Sequence, residues 1–262
     1  MLDALSPQRR RVVLAAGCLV LALVLAVVVG VVLRSRPGSA RPVPQDQPGP
    51  VLLVPGYGGT GASLAPLIAA LESAGRRAVV VPPVGNGTGD LVAQAKHLGE
   101  VARQVLQESG APSVDVVGYS AGGVVARLWV RQEGGDALVR RVLTLGSPQH
   151  GTSQAALGLE LAGGCPPACE QLVPGSDVLR RLNAGDETPD GPQWATVRTT
   201  ADQVVTPVGS AALDGALNLV VQDVCPRSRA THRDLPRDPV VLAALRTVLG
   251  SGPLTAPSSA RC

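Results

Sequence analysis

The segment Gly118-Tyr119-Ser120-Ala121-Gly122 carries the clearest chemical potential in the chain. It is a Gly-x-Ser-x-Gly pattern with a β-type run at 113–117 before it and a helical run from Ala121 after it. A serine on so sharp a strand-to-helix turn has its Oγ lifted clear of the sheet, and glycines two before and two after leave room for the turn. The helix N-terminus beside it favours negative charge that develops during a reaction. Nucleophilic chemistry at Ser120 is therefore expected, with Gly118 and Gly122 forming the elbow.

A serine nucleophile needs a base, and the chain has 3 histidines from which to choose. His97 falls inside a helical run upstream of the serine and reads as a surface residue. His150 follows a strand at 139–145 and borders the expected site. His232 lies in the stretch between the sixth strand and the last helix, where a parallel sheet delivers loops to its active edge, and is the expected base. The acid that orients it should also follow a strand. Asp202, in Thr199-Thr200-Ala201-Asp202-Gln203-Val204-Val205, fits best. Asp223, at the end of the sixth strand, is the second choice. Asp115 is placed inside a strand, and Asp186 and Asp190 read as loop solvation.

Charge developing on a substrate oxygen calls for two backbone N–H donors. One is expected from Ala121, next to the nucleophile. The other should come from Pro55-Gly56-Tyr57-Gly58-Gly59-Thr60, at Tyr57. Gly85-Asn86-Gly87-Thr88-Gly89 resembles a phosphate loop only superficially, since no Lys-Ser/Thr pair follows it.

These residues must be held by a scaffold that alternates strand and helix. Short apolar runs at 51–54, 78–81, 113–117, 139–145, 195–200 and 217–222 read as strands. Helical patterns cover 63–74, 90–109 with Asp90 as N-cap, 121–133 and 239–249, with a short helix near 176–183. The pattern predicts a compact, mostly parallel α/β sheet of about six strands covered on both faces, without a large lid. The stretch 146–193 is irregular. Apolar residues around 157–161 and Leu172-Val173 are expected to form a small flap over the substrate pocket.

The chain has 262 residues, 45% hydrophobic and 16% charged, enough apolar material for one core and too much for a disordered chain. Its formal charge of +3 does not indicate nucleic acid. Residues 1–41 hold six Arg and one Asp, whereas 42–262 hold 17 basic and 19 acidic side chains. The body is mildly acidic, and no nucleic-acid partner is expected.

Residues 1–11 form a basic tail, and 12–33 is an uncharged apolar run of 22 residues. As a helix that run would be roughly 33 Å long, enough to cross a bilayer. A single-pass signal anchor is expected, with a cleaved, secreted form as the alternative. Residues 34–50, with five Pro and two Gly, read as an extended tether to a catalytic body at 51–250, and 251–262 as a C-terminal tail. Cys165, Cys169, Cys225 and Cys262 make an even set, read as two disulfides in a body outside the cytoplasmic membrane. Three connectivities exist, and Cys169–Cys225 with Cys165–Cys262 is preferred over Cys165–Cys169. A zinc site is disfavoured, because Cys-x₃-Cys has no matching second pair.

Three blocks resemble bacterial secreted class 2 lipases and small lid-less esterases of the α/β-hydrolase superfamily. They are Leu53-Val54-Pro55-Gly56-Tyr57-Gly58-Gly59, Gly118-Tyr119-Ser120-Ala121-Gly122-Gly123 continuing to Arg127, and Gly146-Ser147-Pro148-Gln149-His150-Gly151-Thr152. The resemblance runs over about 50–250 and takes in Asp202-Gln203-Val204-Val205 and His232. It implies carboxylic-ester hydrolysis through an acyl-enzyme, with no metal or other cofactor. It assigns Ser120 as nucleophile, Asp202 as acid, His232 as base, and Tyr57 and Ala121 as oxyanion donors. Two features depart from the family. Pro55 stands where members often carry His, and the expected tether contrasts with their free release. A monomer acting on ester or lipid substrates is expected. The rival readings are an envelope acyltransferase on the same triad and a non-catalytic anchored binding protein.

Overall fold

The computed structural model describes residues 8, 16–27, 43–258, 260 and 262. The chain divides into two units, Met1–Ser39 and Ala40–Cys262. In the first, residues 16–27 are helical and expose Leu19, Leu21, Leu23 and Leu25. Among the described residues no helix is long and apolar enough to cross a membrane. The expected span 12–33 lies partly outside the described residues.

The second unit is built on six parallel strands in the order β2-β1-β3-β4-β5-β6. They are β1 (Val51–Val54), β2 (Ala78–Val80), β3 (Val114–Tyr119), β4 (Val139–Leu145), β5 (Gln193–Arg198) and β6 (Leu217–Val220). Among its described residues the α-helices are α1 (Ala65–Ser73), α2 (Leu91–Ser109), α3 (Ala121–Gln132), α4 (Ser153–Ala162), α5 (Pro167–Gln171), α6 (Asp177–Leu182), α7 (Val221–Val224) and α8 (Pro239–Leu249). The expected parallel sheet is present. Its central strands are near-continuous apolar runs because side chains alternate between two buried faces. Leu52 and Val54 join one core with Leu98, Val124 and Trp129 from α2 and α3. Val51 and Leu53 join the other, with Leu67 of α1 and Val241, Leu245 and Val248 of α8.

Helix ends follow their residues. Asp90 caps α2 by accepting the Val92 N–H, and Gly110 closes it in the left-handed conformation. Asp238 caps α8 through the Val240 N–H ahead of Pro239 at the first turn. Two departures from the sequence reading stand out. The irregular stretch 146–193 holds α4 and α5 as well as the expected short helix. The sixth strand stops at Val220 and turns directly into α7.

At the N-terminal ends of the strands, Asp115 and Arg140 are fully buried. Asp115 accepts from Arg140 at 3.0 and 2.6 Å and from Arg76 at 2.7 Å. Arg140 donates onward to the carbonyls of Gln45, Leu249 and Gly250, and Arg141 to Val248 and Gly252. The buried charges thus occupy the C-terminal carbonyls of α8 and clamp the segment preceding β1. Buried guanidinium groups survive only when so paired.

The disulfides correct the preferred pairing. Cys165 bonds Cys169 and Cys225 bonds Cys262, with Cα–Cα separations of 5.8 and 5.6 Å. Cys169 packs against the core on the α2–α3 face, whereas Cys225 belongs to the α8 face. The sheet lies between them, so no Cys169–Cys225 bond can form. Pro167 instead starts α5 at a turn that folds Cys165 back onto Cys169.

Candidate active site

Ser120 sits between the end of β3 and the start of α3 with φ 54° and ψ −126°. Among the described residues it is the only non-glycine with positive φ, a strained conformation that the surroundings must hold. They do so from several sides. The Ser120 N–H donates to the Leu145 carbonyl at 2.8 Å, and its carbonyl accepts from Gly123 at 3.0 Å. A side chain on Gly122 would strike the carbonyl oxygens of Val54 and Pro55, and one on Gly118 would strike the Gly123 backbone. Packing therefore excludes a side chain at Gly118 and at Gly122.

The loop after β1 passes directly over the serine. A Cβ placed on Gly56 would lie 2.9 Å from Ser120 Cβ and 3.5 Å from its Oγ. The next residue is Tyr57. Its backbone N–H and that of Ala121 donate to no acceptor among the described residues, whereas Gly58 and Gly59 donate to Gly87 and Gly56. Tyr57 and Ala121 also line one narrow crevice of about 20 Å³ with Val54, Pro82, Leu91 and Val125. Two spare N–H groups therefore flank Ser120, one of them at a helix N-terminus.

His232 and Asp202, the expected base and acid, lie in contact. His232 Nδ1 lies 2.8 Å from Asp202 Oδ2, and both residues are about 95% buried. The other Asp202 oxygen accepts the Val204 and Val205 N–H groups at 2.8 Å each. With its carboxylate so occupied, Asp202 fixes the imidazole with Nδ1 as donor and leaves Nε2 as the basic nitrogen. Asp223, the second choice, is exposed on α7. His232 opens a 3₁₀ turn, His232–Arg237, capped reciprocally by Thr231 and Asp234.

The serine and the histidine are joined by their surroundings. The Tyr119 hydroxyl donates to the His232 carbonyl at 3.2 Å, and the two rings lie 5.2 Å apart. Burial, then the charge of Asp202, pushes the Tyr119 hydroxyl up to about 12. Gly146, beside the Leu145 carbonyl that holds Ser120, has φ 54°, and a Cβ there would lie 3.0 Å from His232 Nδ1. Sequence reasoning quoted Gly146 without a role. The signal available was a lone glycine directly after an apolar strand. The Ser120 hydroxyl itself forms no hydrogen bond among the described residues.

The remaining histidines take other partners. His97 lies 3.3 Å from Glu100 on the surface of α2. His150 contacts Glu187 at 2.6 Å and the Ser210 carbonyl at 3.2 Å, beside the site and outside the His–Asp pair. Buried Arg127 donates to Asn183, Leu182 and Glu187, tying the 146–193 stretch down. In the region expected to be a flap, Leu157 is exposed on α4 while Leu172 is buried. Among the described residues no three His, Cys, Asp or Glu side chains gather as metal ligands.

Comparison with known proteins agrees with this architecture. A family model for the alpha/beta hydrolase fold matches residues 49–160. Lipase B of Aspergillus fumigatus is similar at 20% identity and a TM-score of 0.68, over 81% of this chain and 58% of that one. The mature lipase BlEst2 of Bacillus licheniformis is similar at 17% identity and a TM-score of 0.64, over 82% and 95%. A gene product of Listeria innocua follows at 15% identity and a TM-score of 0.55. The chain thus spans a little over half the length of the Aspergillus lipase. At these identities the likeness establishes a shared fold.

Proposed function

We propose, starting from this α/β-hydrolase fold, that the chain is a serine carboxylic-ester hydrolase working through an acyl-enzyme. The observation that carries the reading is the strained Ser120, flanked by two unused N–H groups, on the same sheet edge as a buried His232–Asp202 pair. His232 Nε2 takes the Ser120 proton as Oγ attacks the ester carbonyl carbon. The Tyr57 and Ala121 N–H groups hold the oxyanion, a contact that strengthens only as charge develops. The imidazolium returns its proton to the leaving alcohol. Water then attacks the acyl-serine with the same histidine as base, releasing the acid. Asp202 stabilises the imidazolium and keeps its orientation. The fold shared with two lipases supports an ester or lipid substrate.

The reading extends to location. Residues 12–33 are proposed as a signal anchor holding the body outside the cytoplasmic membrane. Two disulfides in that body support this, because such bonds persist in oxidising compartments.

The test of activity is turnover of nitrophenyl esters from acetyl to palmitoyl by the oxidised chain, with Ser120→Ala in parallel. Hydrolysis that disappears in the variant is the expected result. Folded protein that neither turns over these esters nor reacts with a fluorophosphonate would overturn the reading. Labelling without turnover would redirect it to an acyltransferase. Anchoring is tested by extracting membranes with alkaline carbonate: the chain should stay in the pellet.

A further inference from the structure

We infer that the edge of the sheet carrying Ser120 docks on an anionic phospholipid surface, with an apolar rim and a cationic flank as the two halves of the contact. The inference rests on the ester-hydrolase reading and adds the kind of surface that would present the ester.

The rim comes from one observation about exposure. Among the described side chains of 43–258 the exposed large hydrophobic ones are Tyr57, Val84, Leu157 and Val204, each 42–45% accessible. All four lie on segments that follow the C-terminal ends of strands, those of β1, β2, β4 and β5. Backbone bonds tie these segments to their neighbours on that edge. Gly58 donates to Gly87, Ala168 to Thr88, and Ser153 to Thr206. The Thr152 hydroxyl donates to the Val204 carbonyl. Other described large apolar side chains of this unit are buried or half-buried, so the most exposed ones all fall on segments of the edge that carries Ser120.

The flank comes from charge. The segment 225–238 carries Arg227, Arg229, Arg233 and Arg237 against Asp234 and Asp238. All four arginines are exposed. Arg237 pairs with Asp234, and Asp238 is buried as the cap of α8. The side chains of Arg227, Arg229 and Arg233 make no ion pair or hydrogen bond among the described residues, in a body whose net charge is negative. Their segment joins the same edge: the Thr199 hydroxyl donates to Ala230, Gln222 to Ser228, and Tyr119 to His232. The Cys225–Cys262 bond anchors its start. Unpaired cations beside an apolar rim match a bilayer that offers phosphate charge at its surface and acyl chains just below.

The test is hydrogen exchange of the full chain with vesicles of phosphatidylcholine alone or containing one-third phosphatidylglycerol. On anionic vesicles alone, exchange should slow in the segments around Tyr57, Val84, Val204 and 226–233. Replacing Arg227, Arg229 and Arg233 together by Ala should lower the protection factor of these segments on the order of a hundredfold, at about one kcal/mol per lost charge. Lysine at the three positions should preserve it, and unchanged exchange in β3 would show that each variant is folded. Equal protection on both vesicles, or protection indifferent to the alanine variant, would overturn the inference. So would protection by a soluble polyanion such as heparin with none on vesicles. The readout needs no turnover and is repeated with Ser120→Ala, so failure of docking and failure of the hydrolase reading are separate results.

Discussion

Asp202 Oδ2 lies 2.8 Å from His232 Nδ1, while Asp202 Oδ1 is held by two backbone N–H groups of the turn that follows. The carboxylate is therefore fixed on one side by the chain and on the other by the imidazole. Asp202→Asn would keep the shape while offering an amide where an acceptor is needed, which reverses the preferred tautomer. kcat for a soluble ester should fall about 10³–10⁴-fold. A loss under tenfold would show that Asp202 does not orient the base.

Gly146 is predicted to be intolerant of a methyl group. Gly146→Ala would force a Cβ against the His232 ring and Leu235 at a positive φ. Strain of about 1–3 kcal/mol and a displaced imidazole should lower both Tm and kcat. Unchanged kinetics would mean that the ring has room the structure does not show.

The buried Asp115–Arg140 pair should matter for stability alone. Asp115→Asn leaves two guanidinium groups without their anion and should cost about 3–5 kcal/mol in unfolding by urea. Specific activity of the folded fraction should persist, since Asp115 lies at the opposite end of β3 from Ser120. A loss below 1 kcal/mol would contradict this account of the clamp.

The two disulfides should contribute unequally. Cys225–Cys262 spans 37 positions and Cys165–Cys169 spans 4. In the loop-entropy model the longer closure stabilises by about 4 kcal/mol and the shorter by about 2. Replacing Cys225 and Cys262 together by Ala should lower Tm more than replacing Cys165 and Cys169. The reverse order would place the stabilisation in local contacts.

Tyr119 sets an alkaline signature. With its hydroxyl pushed up to about 12, the absorbance lost at 295 nm in Tyr119→Phe should titrate well above the ordinary tyrosine value near 10. The fold binds this proton more tightly than the unfolded chain does. The associated stability is thus fully present below about pH 10 and is lost as pH rises towards 12. A difference titration centred near 10 would show that the hydroxyl is not held by burial.

Much of this was legible from the chain. Alternating short apolar runs and helical periods specified the parallel sheet, because strands buried on both faces need apolar residues throughout. The spacing singles out Gly118 and Gly122, where packing leaves no room for a side chain, and the places after strands single out Asp202 and His232, which lie in contact. Other features depended on distant contacts. Nothing local tells that Gly146 meets His232, or that Val204 and Val205 hold Asp202. Asp115 read as a strand residue, because its arginine partners come from β4 and the segment before β2. The cysteine pairing failed for the same reason: which face of the sheet a residue occupies is settled by packing.

The most direct measurement is mass mapping of the oxidised protein after reaction with a fluorophosphonate. One adduct per chain, on the peptide containing Ser120 and absent from Ser120→Ala, is the predicted result. Folded protein that stays unlabelled, or that carries the adduct on another residue, would contradict Ser120 as the nucleophile.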